Sequence, residues 1–190
     1  MKEENQKVLL LQATIALLEE AKQPEKVTSR QIAERAGVNL AMINYYFGSK
    51  DTLVAQAVSE IMDVSSELFR FPHDPAKPPK ERLRGILRQI CLVVLKYRRY
   101  TRLYVPHLLL EEEITLPQYI LPEIRAHFGG SRDETECRVI AYEMVSFLQL
   151  AFYRDDAFLR YAGLNLADEE TANRVLDMQL NLLLPDEKKE

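Results

Sequence analysis

Tryptophan is absent from the 190 residues, cysteine occurs twice and glycine six times. Scarce glycine, beside abundant Leu, Ala, Glu and Lys, favours helix over strand, because those side chains lose little rotamer freedom in a helix. Cys91 and Cys137 lie far apart in sequence. They lack the tight pair spacing of a metal site and read as free buried thiols in a reducing cytosol. Long apolar runs are missing too. The stretch from Val8 to Leu11 ends at Gln12, far short of a membrane span. The first residues, Met1-Lys2-Glu3-Glu4-Asn5, carry charges of both signs and no signal-peptide pattern, so a cytoplasmic location and no membrane partner are expected. No Gly-rich phosphate loop, nucleophile elbow or metal-ligand cluster occurs, and His73, His107 and His127 have no acid or nucleophile close by in sequence. The chain therefore offers no catalytic residues, no metal ligands and no cofactor site, and an enzyme is not expected.

What is present is a globular composition, 47% hydrophobic and 28% charged, with a net charge of −4. Global acidity argues against a general nucleic-acid coat. It does not exclude a local positive face, because only the surface that meets phosphate must be positive. Between Thr28 and Lys50 the cations Arg30, Arg35 and Lys50 face a single acid, Glu34.

The apolar pattern is helical nearly throughout. Val8, Leu11, Ile15 and Leu18 mark one face of a first helix, about Asn5 to Ala21, broken before Pro24. Thr28-Ser29-Arg30-Gln31 fits a capping box opening a short helix to Ala36, and Gly37 supplies a tight turn. Asn39 caps a third helix to about Tyr46, and Ser49 caps a fourth. The proline-rich stretch 71–79 reads as a loop before a fifth helix from about Lys80 to Arg99. Further breaks are expected at Pro106, Pro117, Pro122 and Gly129-Gly130. A long helix from Asp133 to about Arg154, a loop through Asp155-Asp156 and Gly163, and a last helix from Asp168 to Leu184 complete the reading. The charged tail 186–190 reads as frayed.

Ile32, Ala33, Ala36, Val38, Ile43 and Phe47 are spaced so that two short helices cross tightly, as in a helix-turn-helix, which pushes the second helix outward toward a major groove. Over roughly residues 8–58, about a quarter of the chain, this segment closely resembles the TetR family of one-component regulators. The resemblance rests on Ile-Ala-x-x-Ala-Gly-Val at Ile32–Val38, the aromatic run ending at Phe47, and Gly-Ser-Lys-Asp-x-Leu at Gly48–Leu53. Two departures exist: Lys22-Gln23-Pro24 replaces a customary glycine after the first helix, and Asn44-Tyr45-Tyr46 replaces the frequent Tyr-x-His. The second bears on which bases are read.

The resemblance implies an all-α fold with an N-terminal three-helix DNA-binding head, residues 1–48. A helical bundle of about six helices, residues 49–190, would serve dimerisation and ligand binding. Matching positions makes Asn39, Leu40 and Ala41 the start of the recognition helix, with apolar contacts from Leu40 and Ala41. Asn44 is the best base reader, since its amide can pair with adenine in bidentate fashion. Tyr45 and Tyr46 read as phosphate donors or groove-wall packers, with Tyr46 leaning inward. Thr28, Ser29, Arg30 and Lys50 would clamp backbone phosphates.

The run Val139–Tyr153 is apolar nearly all round, so that helix needs cover on every side. With the last helix it suits a homodimer interface through Val139, Met144, Phe147, Leu148, Ala151, Val175, Leu176, Leu180 and Leu183. The expected partners are palindromic double-stranded DNA, a second copy and an unidentified small molecule. Candidate linings for that molecule are Tyr97, Tyr100, Tyr104, His107, Tyr142 and Gln149. Arg84, Arg88, Arg98, Arg99 and Arg102 make a basic stretch that could receive an anion or simply face solvent. Against this repressor stand an orphan regulator, an activator and, from another class, a helical ligand-binding protein without DNA affinity.

Overall fold

The computed structural model describes residues 2–62, 74–111 and 115–185. Among these residues every regular element is helical. In chain order they are α1 (Lys2–Glu20), α2 (Ser29–Ala36), α3 (Ala41–Phe47), α4 (Lys50–Met62), α5 (Pro79–Lys96), α6 (Thr101–Leu110), α7 (Leu116–Phe128), α8 (Glu134–Tyr153), α9 (Asp155–Ala162) and α10 (Glu169–Leu183), with short 3-10 turns at Pro24–Lys26 and Arg98–Tyr100. Two compact units divide the chain: Met1–Ser65 with Tyr97–Glu112, and Ser66–Lys96 with Glu113–Glu190.

In the first unit, α1 to α4 close around Leu10, Leu18, Ile32, Ile43, Leu53 and Val58, each at most 2% exposed. Helix α6 packs on α4 within the same unit. Local chemistry sets the helix ends. Thr28 and Gln31 form the capping box reciprocally, the Gln31 amide donating to Thr28 Oγ1 and the Thr28 amide to Gln31 Oε1. Gly37 ends α2 at φ +66°, a left-handed conformation that a Cβ would strain. At α1's other end the Arg99 guanidinium donates to the carbonyls of Leu18, Glu19 and Ala21 at 3.0, 3.3 and 2.7 Å. It thereby satisfies acceptors that a helix end leaves open.

The second unit buries one contiguous core from α5, α7, α8 and α10, with Leu83, Ile120, Ile124, Met144, Leu176 and Leu180 fully covered. Asp133 caps α8 in a second capping box with Glu136, and Asp168 caps α10 by accepting from the Thr171 amide. Arg84 and Arg88 both pair with Asp177, joining α5 to α10, and Arg84 also meets Glu81.

Several expected boundaries need correction. Pro106 and Pro122 lie inside α6 and α7 and do not break them. Pro122 is exposed between the buried Leu121 and Glu123, and Gln118, whose carbonyl its ring deprives of a hydrogen bond, is an exposed residue too. Residues 155–162, expected as loop, form α9. Asp155 and Asp156 occupy its first turn, where the helix dipole favours acid, and Gly163 ends it at φ +71°. The fifth helix stops at Lys96, short of Arg99, because the chain turns into the 3-10 segment there. Residues 71–73 of the expected proline-rich loop and the tail 186–190 lie outside the described residues.

Candidate nucleic-acid interface

Helix α3 is held by two inward side chains, Ile43 and Phe47, at 2% and 7% exposure. Helical geometry then turns the intervening positions outward. Asn39, Leu40, Ala41, Asn44 and Tyr45 are all exposed, Leu40 at 50% and Tyr45 at 68%. An exposed leucine and tyrosine flanking an exposed amide, on a helix with no other element over them, is a surface suited to base edges. The helix begins one residue later than the cap predicts, at Ala41, yet Asn39 still performs the capping. Its Oδ1 accepts from the Ala41 amide at 2.9 Å, and its carbonyl accepts from the Met42 amide. That bond engages the side-chain oxygen, and the residue itself remains exposed.

The flanks are supplied by neighbouring helix starts. Ser29 and Arg30 occupy the first turn of α2 beside the Thr28 cap, Arg30 exposed and Ser29 half-buried. On the other side Ser49 accepts from the Thr52 amide at 3.0 Å and so starts α4, where Lys50 is the first residue. Helix starts present unpaired N–H groups and positive dipole ends, so both flanks favour phosphate.

Tyr46 differs from Tyr45. It is half-buried, and its hydroxyl donates to Gln6 Oε1 at 3.3 Å. The two rings meet edge to face, with centroids 4.9 Å apart. Next to Gln6, the Lys7 ammonium lies 5.6 Å from the centroid of the Phe47 ring. Contacts across 40 residues leave no periodic trace, and neither Gln6 nor Lys7 could be placed beside α3 from the sequence.

The candidate effector residues fall into both units. Tyr97, Tyr100, Tyr104 and His107 lie in the first; there Tyr100 is 4% exposed, and its hydroxyl pKa is pushed up by burial. Tyr142 and Gln149 lie on α8 in the second, Tyr142 at 52% exposure. One open cleft of about 500 Å³ is lined by Arg88, Arg174, Asp177 and neighbours on α10, and another of about 470 Å³ by Ala21 to Gln31; neither includes any of these six residues. The arginines of the basic stretch are engaged within the protein, Arg84 and Arg88 by Asp177 and Arg99 by the end of α1. No three His, Cys, Asp or Glu side chains gather as a metal site among the described residues, and no helix there is long and apolar enough to cross a membrane.

Of the candidate dimer residues, Val139 and Phe147 are exposed, at 58% and 37%, and Leu183 is half-buried. Met144, Leu148, Ala151, Val175, Leu176 and Leu180 are instead covered by the second unit's own core. Side chains already removed from water offer no surface to a second copy. The outward apolar side chains of α8 and α10 include Val139, Tyr142, Leu150, Met178 and Leu182.

Residues 10–57 match the family model of bacterial regulatory proteins of the tetR family. The chain is 33% identical over 79 residues to the HTH-type transcriptional regulator BetI 1 of Chromohalobacter salexigens, covering 41% of this chain and 39% of that protein. It is 38% identical over 77 residues to the HTH-type transcriptional dual regulator CecR of Shigella flexneri, covering 36% and 34%. The match thus spans less than two fifths of each relative's length. In fold, the chain is similar to Thermus thermophilus FadR, a TetR-family repressor solved with lauroyl-CoA, at a TM-score of 0.69 and 17% identity over 97% of this chain and 96% of that one. A TetR regulator from Rhodococcus sp. RHA1 matches at a TM-score of 0.63 and 16% identity over 98% and 99%. Residues 10–57 are thus similar to the bacterial regulatory proteins of the tetR family, and the helical fold is similar to that of solved TetR regulators.

Proposed function

We propose that this protein is a sequence-specific transcriptional regulator, a homodimer that represses by holding a palindromic operator and lets go when a small molecule binds. The observation that carries the reading is the outward row Asn39, Leu40, Ala41, Asn44 and Tyr45 on α3, flanked by Arg30 and Lys50. In this reading Asn44 reads a base edge, its amide able to pair with adenine, for about 1–3 kcal/mol of discrimination. Thr28, Ser29, Arg30, Tyr45 and Lys50 engage phosphate and set register, which is independent of sequence. Tyr46 serves the surface from behind, its hydroxyl proton committed to Gln6.

One short recognition helix reads few base pairs, so selectivity requires two heads at the spacing of one DNA turn, roughly 34–36 Å. A ligand that prefers a dimer with differently spaced heads shifts the population toward release, by no more than its differential affinity, typically about 1–3 kcal/mol. The ligand-bound state of one fold neighbour supports including an acyl-CoA among the first compounds titrated.

Selection of bound sequences from random duplexes tests the reading. A palindrome with half-sites about one turn apart is expected, and Asn44→Ala should relax preference at one position in each half-site. Enrichment of no sequence at moderate ionic strength would overturn it.

A further inference from the structure

We propose that the first turns of α1 belong to the duplex-contact surface, with the Lys7 ammonium taking a backbone phosphate beside the end of α3. The inference rests on the DNA-reading function above and extends it to a residue outside the helix-turn-helix.

Three observations converge on Lys7. The Gln6–Tyr46 hydrogen bond and the Lys7–Phe47 contact bring the beginning of α1 against the C-terminal turn of α3. This is the side where α4 starts with Lys50, two residues past the Gly48 that ends α3. Second, the Tyr46 hydroxyl has one proton and gives it to Gln6, so it has none left to donate to a phosphate oxygen. Lys7, next in the chain to Gln6, is an exposed cation able to supply that bond instead. Third, the ammonium is within cation–π range of the Phe47 ring. A lysine fixed over a ring has surrendered part of its rotamer freedom before binding, which reduces the entropy lost when it grips a phosphate. The ring is in turn 7% exposed, on the buried side of α3, which places the charge beside the recognition helix. The acids nearest Lys7 in sequence are Glu3 and Glu4, one turn earlier on α1, and Asp51 sits in the first turn of α4, where the dipole engages it.

The test is the salt dependence of binding to a selected duplex, measured by fluorescence anisotropy for wild type, Lys7→Gln, Lys7→Arg and Lys50→Ala, each checked by thermal melting. Phosphate contacts release counterions, so losing one lowers the slope of log affinity against log salt by about 1 for each half-site engaged. Lys7→Gln should lower that slope and weaken specific and scrambled duplexes by the same factor, while Lys7→Arg restores the slope. If Lys7 merely props Phe47, Lys7→Gln will reduce melting temperature or affinity with the slope intact, and the inference fails. If Lys50→Ala moves the slope and Lys7→Gln does not, the inference also fails while DNA binding stands. Absence of salt-dependent duplex binding by the wild type overturns both.

Discussion

Thr28 sits at the junction of stability and recognition. It caps α2 through Gln31 and lies on the surface assigned to phosphate. Removing a Ser or Thr cap typically costs about 1 kcal/mol. Thr28→Ala should therefore lower unfolding stability by that amount in a denaturant titration followed by circular dichroism, and a change below a few tenths would mean that the cap contributes little. Cys91 illustrates the opposite kind of residue. It is 3% exposed, and burial pushes its thiol pKa up to about 12. Cys137 is buried too, its pKa also raised chiefly by desolvation. Since the thiolate is the nucleophile, iodoacetamide at pH 8 should leave both cysteines unmodified in the native protein and alkylate both in guanidinium. Adducts on native Cys91 at the rate of a free thiol would contradict this burial.

At the scale of elements, α8 and α10 are joined by two kinds of contact with different worth. Met144 is fully buried among apolar neighbours, so Met144→Ala leaves a cavity and should cost about 2–5 kcal/mol. Gln179 is 8% exposed; its Nε2 donates to the Met144 carbonyl at 3.1 Å, while its Oε1 has no partner among the described residues. That carbonyl lies inside α8, where the helix's own amides also reach it. Gln179→Leu keeps volume and removes a stranded acceptor, so its melting temperature should match or exceed that of the wild type. A loss as large as that of Met144→Ala would show that the amide is essential. The outcome for α8 as an element was legible in part. Its all-round apolar pattern predicts cover on every side, but period alone does not distinguish a side facing its own core from one facing a partner. Met144 and Leu148 proved inward, Val139 outward. Similarly, Pro106 and Pro122 read locally as breaks, and packing of the flanking residues kept both helices continuous.

For the whole molecule, Val139, Tyr142 and Leu150 on α8 with Met178 and Leu182 on α10 are outward apolar side chains that a second copy could cover. Light scattering coupled to size exclusion should give twice the chain mass at micromolar concentration. Val139→Asp, which places a charge on that face without disturbing the buried side of α8, should shift the equilibrium toward monomer and weaken operator binding with it. A wild-type monomer would remove the dimer from the proposed function.

Helical class, the Thr28–Gln31 capping box, the buried Ile32, Ala33, Ile43 and Phe47 of the head and the outward row on α3 were determined by the sequence alone, whereas the face expected for α1 was not: Val8 is 46% exposed and Leu10 is buried in its place. The former depend on residues within a few turns of one another, where periodicity and capping chemistry act directly. The tertiary structure decided what depends on distant residues meeting: the seat of Lys7 and Gln6 against α3, the grip of Arg99 on the end of α1, the inward side of α8, and the dispersal of the candidate effector residues over both units. Such contacts carry no local signature, because which side chains come together is fixed by the packing of whole helices.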